Sequence, residues 1–451
     1  MVGMEQRVDR SVGEASGQRR FVPLFIVEAY LTFTVFIFAF GPWPWDVRNP
    51  VTLYTYLFLV QIALFIGYWS KAREFIVPVY VGRYSREKLL RTSIVLSLIA
   101  IIPFYYIQLG RLEFSLSGIL GQIVAGATNP GQAYKDILST SGPGSHFFLL
   151  WLYVLISPVL WLCVPLAVSS WGTLSFKMKM AVAFIVGANV LTWVAMGTVQ
   201  GIADNAAIVA LAMLASGRKV GFKRIGFRRA IAIAAVLSIV VFYFSYAQDS
   251  RAHGQAIALT DKDAGISLNT NNFMLVGLPP AAQNAVGRGS SYLTQGYYAL
   301  SLGLELPFDW TFGVGHSLFW IQMLDHFTGI DVTEHTYPAR IEDQFGWSMQ
   351  VRWDSVYPWL ASDLSFPGTI VLMLVVGRLL ASTWIDSQAG VNPYAPSLFI
   401  LLMLIILYFP ANSKMLTNAY SVGAFWGLLC LWLATHRTTS NRLPRFQLEN
   451  P

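Results

Sequence analysis

Arg288-Gly-Ser-Ser-Tyr-Leu-Thr-Gln-Gly-Tyr-Tyr298 and Glu342-Asp-Gln-Phe-Gly-Trp-Ser-Met-Gln-Val-Arg-Trp-Asp354 decide how this chain is read. Both belong to a long hydrophilic insertion from Tyr246 to Phe366, rich in aromatics and arginine, with strongly apolar runs on either side. Working outward, runs able to cross hydrocarbon as helices fall at 22–41, 51–69, 92–110, 147–170, 180–198, 202–217 and 230–247 before the insertion. Three more follow it, at 359–377, 396–411 and 420–435. The expected fold is an all-α polytopic membrane protein of ten transmembrane helices, with one large extracytoplasmic loop, 248–358, containing short helices.

Composition agrees. Hydrophobic residues make up 55% and charged residues 12% of the chain, where a soluble domain carries roughly one quarter charged. The spans divide the basic residues unevenly, because 22 of the 31, including Arg7 to Arg20, Lys71 to Arg91, Arg218 to Arg229, Arg378 and Arg437 to Arg445, fall on one side. That side is read as cytoplasmic, with tails 1–21 and 436–451 on it. The basic start runs into an apolar segment too long for a signal-peptide core, so an uncleaved signal anchor is expected. The net charge of +7 is then a topological signature, and no nucleic-acid partner is expected. Cys163 and Cys430 both fall in spans and imply neither a disulfide framework nor a zinc site.

Polar groups gather where spans meet the outer side. Residues 111–145 read as a segment resting on the outer surface. A glycine-bearing turn, Met196 to Asn205, puts Gln200 and Asp204 at the outer membrane edge, where they are read either as a plain loop or as part of a site. Tyr408-Phe-Pro-Ala-Asn-Ser-Lys414 faces the same way. These turns and the large loop suggest a site assembled at the outer face. Neither a tandem repeat nor an inverted pair of broken helices is visible, which weighs against a secondary transporter.

The loop holds eleven acidic residues, five basic ones and four of the six histidines. With so few arginines, Arg288, Arg340 and Arg352 suit specific anchoring of a phosphate-bearing ligand, since a guanidinium grips phosphate with two parallel hydrogen bonds. Arg340 and Arg352 read equally well as partners of Glu342, Asp343 or Asp354, and Arg251 as the partner of Asp249. Many of the loop's indoles and phenols belong to an interfacial belt, and the rest, Trp347 and Trp353 among them, could stack on sugar rings. His316 and His335 could take a proton from a hydroxyl at neutral pH, or be ordinary loop histidines. Asp-x-Asp at 261–263 is a weak metal signal alone.

Three stretches resemble the Wzy-type polymerases of O-antigen and exopolysaccharide repeat units. They are Gly197-Thr-Val-Gln-Gly-Ile-Ala-Asp204, Tyr292 to Leu300 followed by Trp310-Thr-Phe-Gly-Val-Gly315, and Trp353 to Gly368. Two departures stand out: Gln200 occupies a place where many members carry a basic residue, and Leu364-Ser-Phe-Pro replaces a shorter Phe-Gly step. The resemblance implies a bacterial inner-membrane glycosyltransferase with undecaprenyl-diphosphate-linked oligosaccharide as donor and acceptor. Membrane lipid, chain-length regulators and flippases are its implied partners. Arg288, Arg340 and Arg352 would then neutralise the departing diphosphate, and Asp354, His335 or His316 would be the base. Gln200, Asp204, Tyr292, Gln295, Trp347, Trp353 and Asp363 would bind substrate. Pyrophosphate already leaves well, so neither metal nor cofactor is expected. The rival expectations are a glycan ligase of the same fold and a non-enzymatic glycolipid transporter.

Overall fold

Inside hydrocarbon every amide must find its carbonyl within the same segment, and helices built on that rule make up most of this protein. The computed structural model describes residues 19–74, 77–82, 84–110, 115–140, 147–216, 243, 246–247, 250, 260–261, 264–349 and 352–439. In chain order the helices begin with α1 (Val22–Phe40), α2 (Pro50–Ala72), α3 (Arg86–Leu109), α4 (Leu116–Thr128) and α5 (Pro130–Thr140). The next are α6 (Phe147–Leu160), α7 (Cys163–Ser170), α8 (Phe176–Ala195) and α9 (Gln200–Ala215). The insertion contributes α10 (Pro280–Gly303), α11 (Leu318–Thr328) and α12 (Tyr337–Phe345). After it come α13 (Val356–Ala389), α14 (Ala395–Tyr408), α15 (Lys414–Thr417) and α16 (Ala419–Thr435).

Among the described residues, six helical segments are long and apolar enough to cross a membrane: α1, α2, α3, Phe148–Ser170, α8 and α13. The shorter apolar helices α9, α14 and α16 stand among them. This is an all-α membrane protein. The expected span at 230–247 lies outside the described residues except for Tyr243, Tyr246 and Ala247. Arg251, Asp249 and Asp263 also lie outside them.

The bundle has a loop end and a tail end. At its centre, α14 is buried on every side from Ala395 to Ile406, as a helix apolar all round must be. The broadest helix pair is α2 with α13. It can approach so closely because Gly67 and Gly377 lie at the crossing. A Cβ on Gly67 would stand 2.1 Å from the Leu374 carbonyl oxygen, and one on Gly377 would stand 2.2 Å from that of Leu64.

Three boundaries differ from the sequence reading. The expected span at 359–377 belongs to a helix that runs from Val356 to Ala389 and breaks at Ser365, whose φ of 60° and ψ of 166° interrupt it just before Pro367. Hydropathy falls at Arg378, yet the helix continues because its later polar residues have partners at the tail end. Arg378 reaches Ser70 and Glu74, and Trp384 donates to the Arg19 carbonyl at 3.0 Å. Second, the insertion holds a helix of 24 residues, α10, as well as short ones. Third, the C-terminal tail is tied down at its start, where β4 (His436–Thr439) pairs antiparallel with β1 (Val77–Tyr80).

Candidate functional site at the loop end

The roof of the bundle is α10. Its first half is polar and its second half is buried from Thr294 to Gly303 apart from Tyr298. Gly296 rests directly on the chain below it, because a Cβ there would lie 2.3 Å from the Pro410 oxygen and 2.6 Å from the Ser355 nitrogen. The Tyr297 hydroxyl lies 2.9 Å from Thr34 Oγ1 of α1, which fixes the helix at depth. Gln295, one of the expected ligands, is therefore buried at this seam.

Between α3, the α6–α7 pair, α8, α9 and the α15–α16 corner lies a cavity of about 150 Å³. Most of its wall is apolar, including Ala100, Phe104, Leu160, Ile185 and Ile208, while its loop end carries Gln200, Asp204 and Lys414. The turn Gly197 to Val199 starts α9 so that Gln200 and Asp204 are one helical turn apart on one face. Gln200 Nε2 donates to Asp204 Oδ2 at 3.4 Å, and the Tyr408 hydroxyl donates to Asp204 Oδ1 at 2.6 Å. Lys414 Nζ donates to Gln200 Oε1 and stands 5.7 Å from the Trp193 ring centre. Further in, Asn205 Nδ2 donates to Asn189 Oδ1 at 2.7 Å. Tyr408 and Lys414 fall in a turn expected at the site but were assigned no role there, and Asn189 was not expected. The available signal was that Lys414 is the sole basic residue between Arg378 and Arg437. It brings positive charge beside Gln200.

The loop residues fall into separate groups. His316 and Asp363, expected independently, are brought together: the carboxylate lies 2.8 Å from His316 Nδ1 and accepts from the amides of Gly315 and His316, both at 2.9 Å, and from Thr311 Oγ1 at 2.5 Å. A carboxylate on Nδ1 leaves Nε2 as the nitrogen that can take a proton. His316 immediately precedes α11, which packs against the short helix carrying Lys414. His335 pairs instead with Asp309 at 2.7 Å on the exposed surface. Arg340 donates to the Pro307 carbonyl at 2.9 Å and lies 5.6 Å from the Tyr337 ring, so among the described contacts it is not paired with Glu342, Asp343 or Asp354.

Around Arg352 the arrangement is tighter. Its guanidinium is 2.9 Å from Asp261, a residue 91 positions away, and not from Glu342, Asp343 or Asp354 as the sequence suggested. It also lies 5.3 Å from the ring centre of Trp347, which is buried against Trp45 and Tyr298. Tyr292 and Trp353 meet edge to face at 4.3 Å. Arg288 is half-buried in α10, one position after Gly287, whose carbonyl accepts from Trp43 at 2.7 Å. Asp354 is 3% exposed, and burial, with Glu342 adding to it, pushes its carboxyl up to about 8. Burial thus favours its protonated form at neutral pH.

Comparison with protein-family models, with curated proteins and with solved structures finds no match.

Proposed function

We propose that the chain is a glycosyltransferase that joins lipid-diphosphate-linked oligosaccharide repeat units on the extracytoplasmic face, with undecaprenyl diphosphate as leaving group. One observation carries the reading: a mostly apolar cavity within the bundle bears a lysine, an amide and a carboxylate at the end facing the loop. An isoprenoid diphosphate has the matching polarity, with a hydrocarbon tail and a compact anionic head. The acceptor hydroxyl attacks the donor's anomeric carbon, the bond from that carbon to the diphosphate oxygen breaks, and the hydroxyl proton passes to a base. Lys414, held by Gln200, neutralises the charge that grows on the diphosphate. His316, oriented by Asp363, is the base we favour, because its partner is buried and filled by four donors. Arg352, bound to Asp261, braces Trp347, which is buried within the insertion. The uneven distribution of basic residues supports the sidedness.

Sealed vesicles containing the pure protein and an undecaprenyl-diphosphate-linked repeat unit test the proposal. Glycans longer than one unit, with release of lipid diphosphate, are expected. Transfer only to a different added acceptor would instead indicate a ligase. Glycolipid crossing without bond formation would indicate a transporter.

A further inference from the structure

Two parts of the loop carry apolar side chains that the fold leaves uncovered. In the first, Asn272 Nδ2 donates to the carbonyls of Phe40 and Gly41 at 2.9 and 3.1 Å, and the Asn269 amide donates to Pro42 at 2.8 Å. These bonds lay the segment along the loop end of α1. Phe273 then stands 6.4 Å from Phe36, and Phe273 and Val276 are each 64% exposed. Phe25, Phe33, Phe36 and Phe40 share one exposed face of α1 by their helical spacing, and Phe273 continues that row. No charged residue occurs from Asn269 to Pro280.

In the second part, Phe308, Trp310 and Phe312 alternate along the chain and are all exposed, with the last two rings 5.1 Å apart. Thr311 between them is fully buried and bonded to Asp363 and to the Ser362 carbonyl. This pins the segment one turn before Phe366, where α13 enters its apolar stretch after the break at Ser365. Leu364 is exposed beside it. Phe312 has φ of 57°, a left-handed conformation that a bulky side chain rarely adopts, and no burial of its ring offsets the strain. Asp309 turns to His335, away from the aromatic row.

We infer that the large loop stands in the bilayer on these two apolar feet, Phe273 with Val276 and Phe308 with Trp310 and Phe312, and that their partner is the lipid of the leaflet on the loop side. The first foot is continuous with the lipid-facing side of α1, and the second sits where α13 emerges from hydrocarbon. Both are therefore at the depth where aromatic rings favour the membrane boundary. A sugar-binding surface would want polar groups turned beside the rings, and here Asp309 and Thr311 are both turned to other partners.

Nitroxide labels test this in the full-length protein in lipid nanodiscs, in a Cys430→Ser background where the buried Cys163 remains. Labels replace Phe273 and Phe312, with Phe33→Cys as the lipid-facing reference and Glu334→Cys as the water-facing one. Both foot labels are expected to collide with dissolved oxygen in preference to a polar nickel chelate, as at Phe33. Either label behaving as at Glu334 overturns the inference, and so does shielding from both reagents, which would mean that protein covers the foot. Trp310→Leu provides a second reading, since it should remove part of the fluorescence quenched by brominated lipid; unchanged quenching would count against the second foot.

Discussion

The two ends of the bundle treat charge differently. At the tail end, Asp386 is 2% exposed and its Oδ2 accepts from Trp432 Nε1 and lies 2.7 Å from His436 Nδ1, while Glu74 is held by Lys71 and Arg378 at 2.7 and 2.9 Å. These groups bind helix ends to one another and to the β1–β4 pair. At the loop end, Lys414, Gln200, Asp204 and Tyr408 are also linked, yet the first three line a cavity. Charge spent on neighbouring chain stabilises the fold. Charge beside a void is what the proposed function needs to meet an incoming head group.

Removing Lys414 should break this contrast most visibly. Lys414→Gln is expected to cut chain growth by roughly a hundredfold or more, the size of effect seen when a donor to a developing oxyanion is lost. Its thermal midpoint in detergent should stay near that of the unaltered protein. If turnover survived, the loop-end cluster would be as structural as the tail-end one. Asp386→Ala is the complementary case: it strands a buried indole N–H and should cost roughly 1–3 kcal/mol of stability, with activity per folded molecule retained. Activity lost at full stability would erase the distinction.

Gly296→Ala sharpens the comparison at the roof. A methyl group there has 2.3 Å to the Pro410 oxygen and must push α10 off its seat. Turnover should fall more than stability, which parallel activity and melting measurements would reveal. A pH-dependent test concerns Asp354. Its carboxyl is raised from 3.8 to about 8 by burial, so between those values the folded chain holds a proton that the unfolded chain has released. Stability therefore falls as pH climbs from 3.8 toward about 8 and is level above it. Asp354→Asn should flatten that slope in melting curves taken across the range. An unchanged slope would show that another group sets it.

Hydropathy made the helices legible because burying apolar surface is a local property of composition. It failed at α13, where Arg378 lowers the score but the partnered polar residues beyond it keep the helix going to Ala389. The break at Ser365 is likewise a backbone event, and Leu364-Ser-Phe-Pro hinted at it only through its proline. Site residues were legible as types, not as partners. Asp363 and His316 are 47 positions apart, Arg352 and Asp261 are 91, and Lys414 and Gln200 are 214. No periodicity reports such pairs, since tertiary packing alone decides which side chains share a corner. Lys414 was visible as an isolated cation but without the neighbour that gives it meaning.

The β1–β4 pairing has a consequence for biogenesis. Tyr80 meets His436, so the first strand emerges from the ribosome long before its mate and waits while most of the chain is inserted. Until then its hydrogen-bonding edge stays open. The clasp can close only after α16 has been made, so a protein cut after Thr435 should insert its helices normally yet leave an edge for proteases and quality control to find.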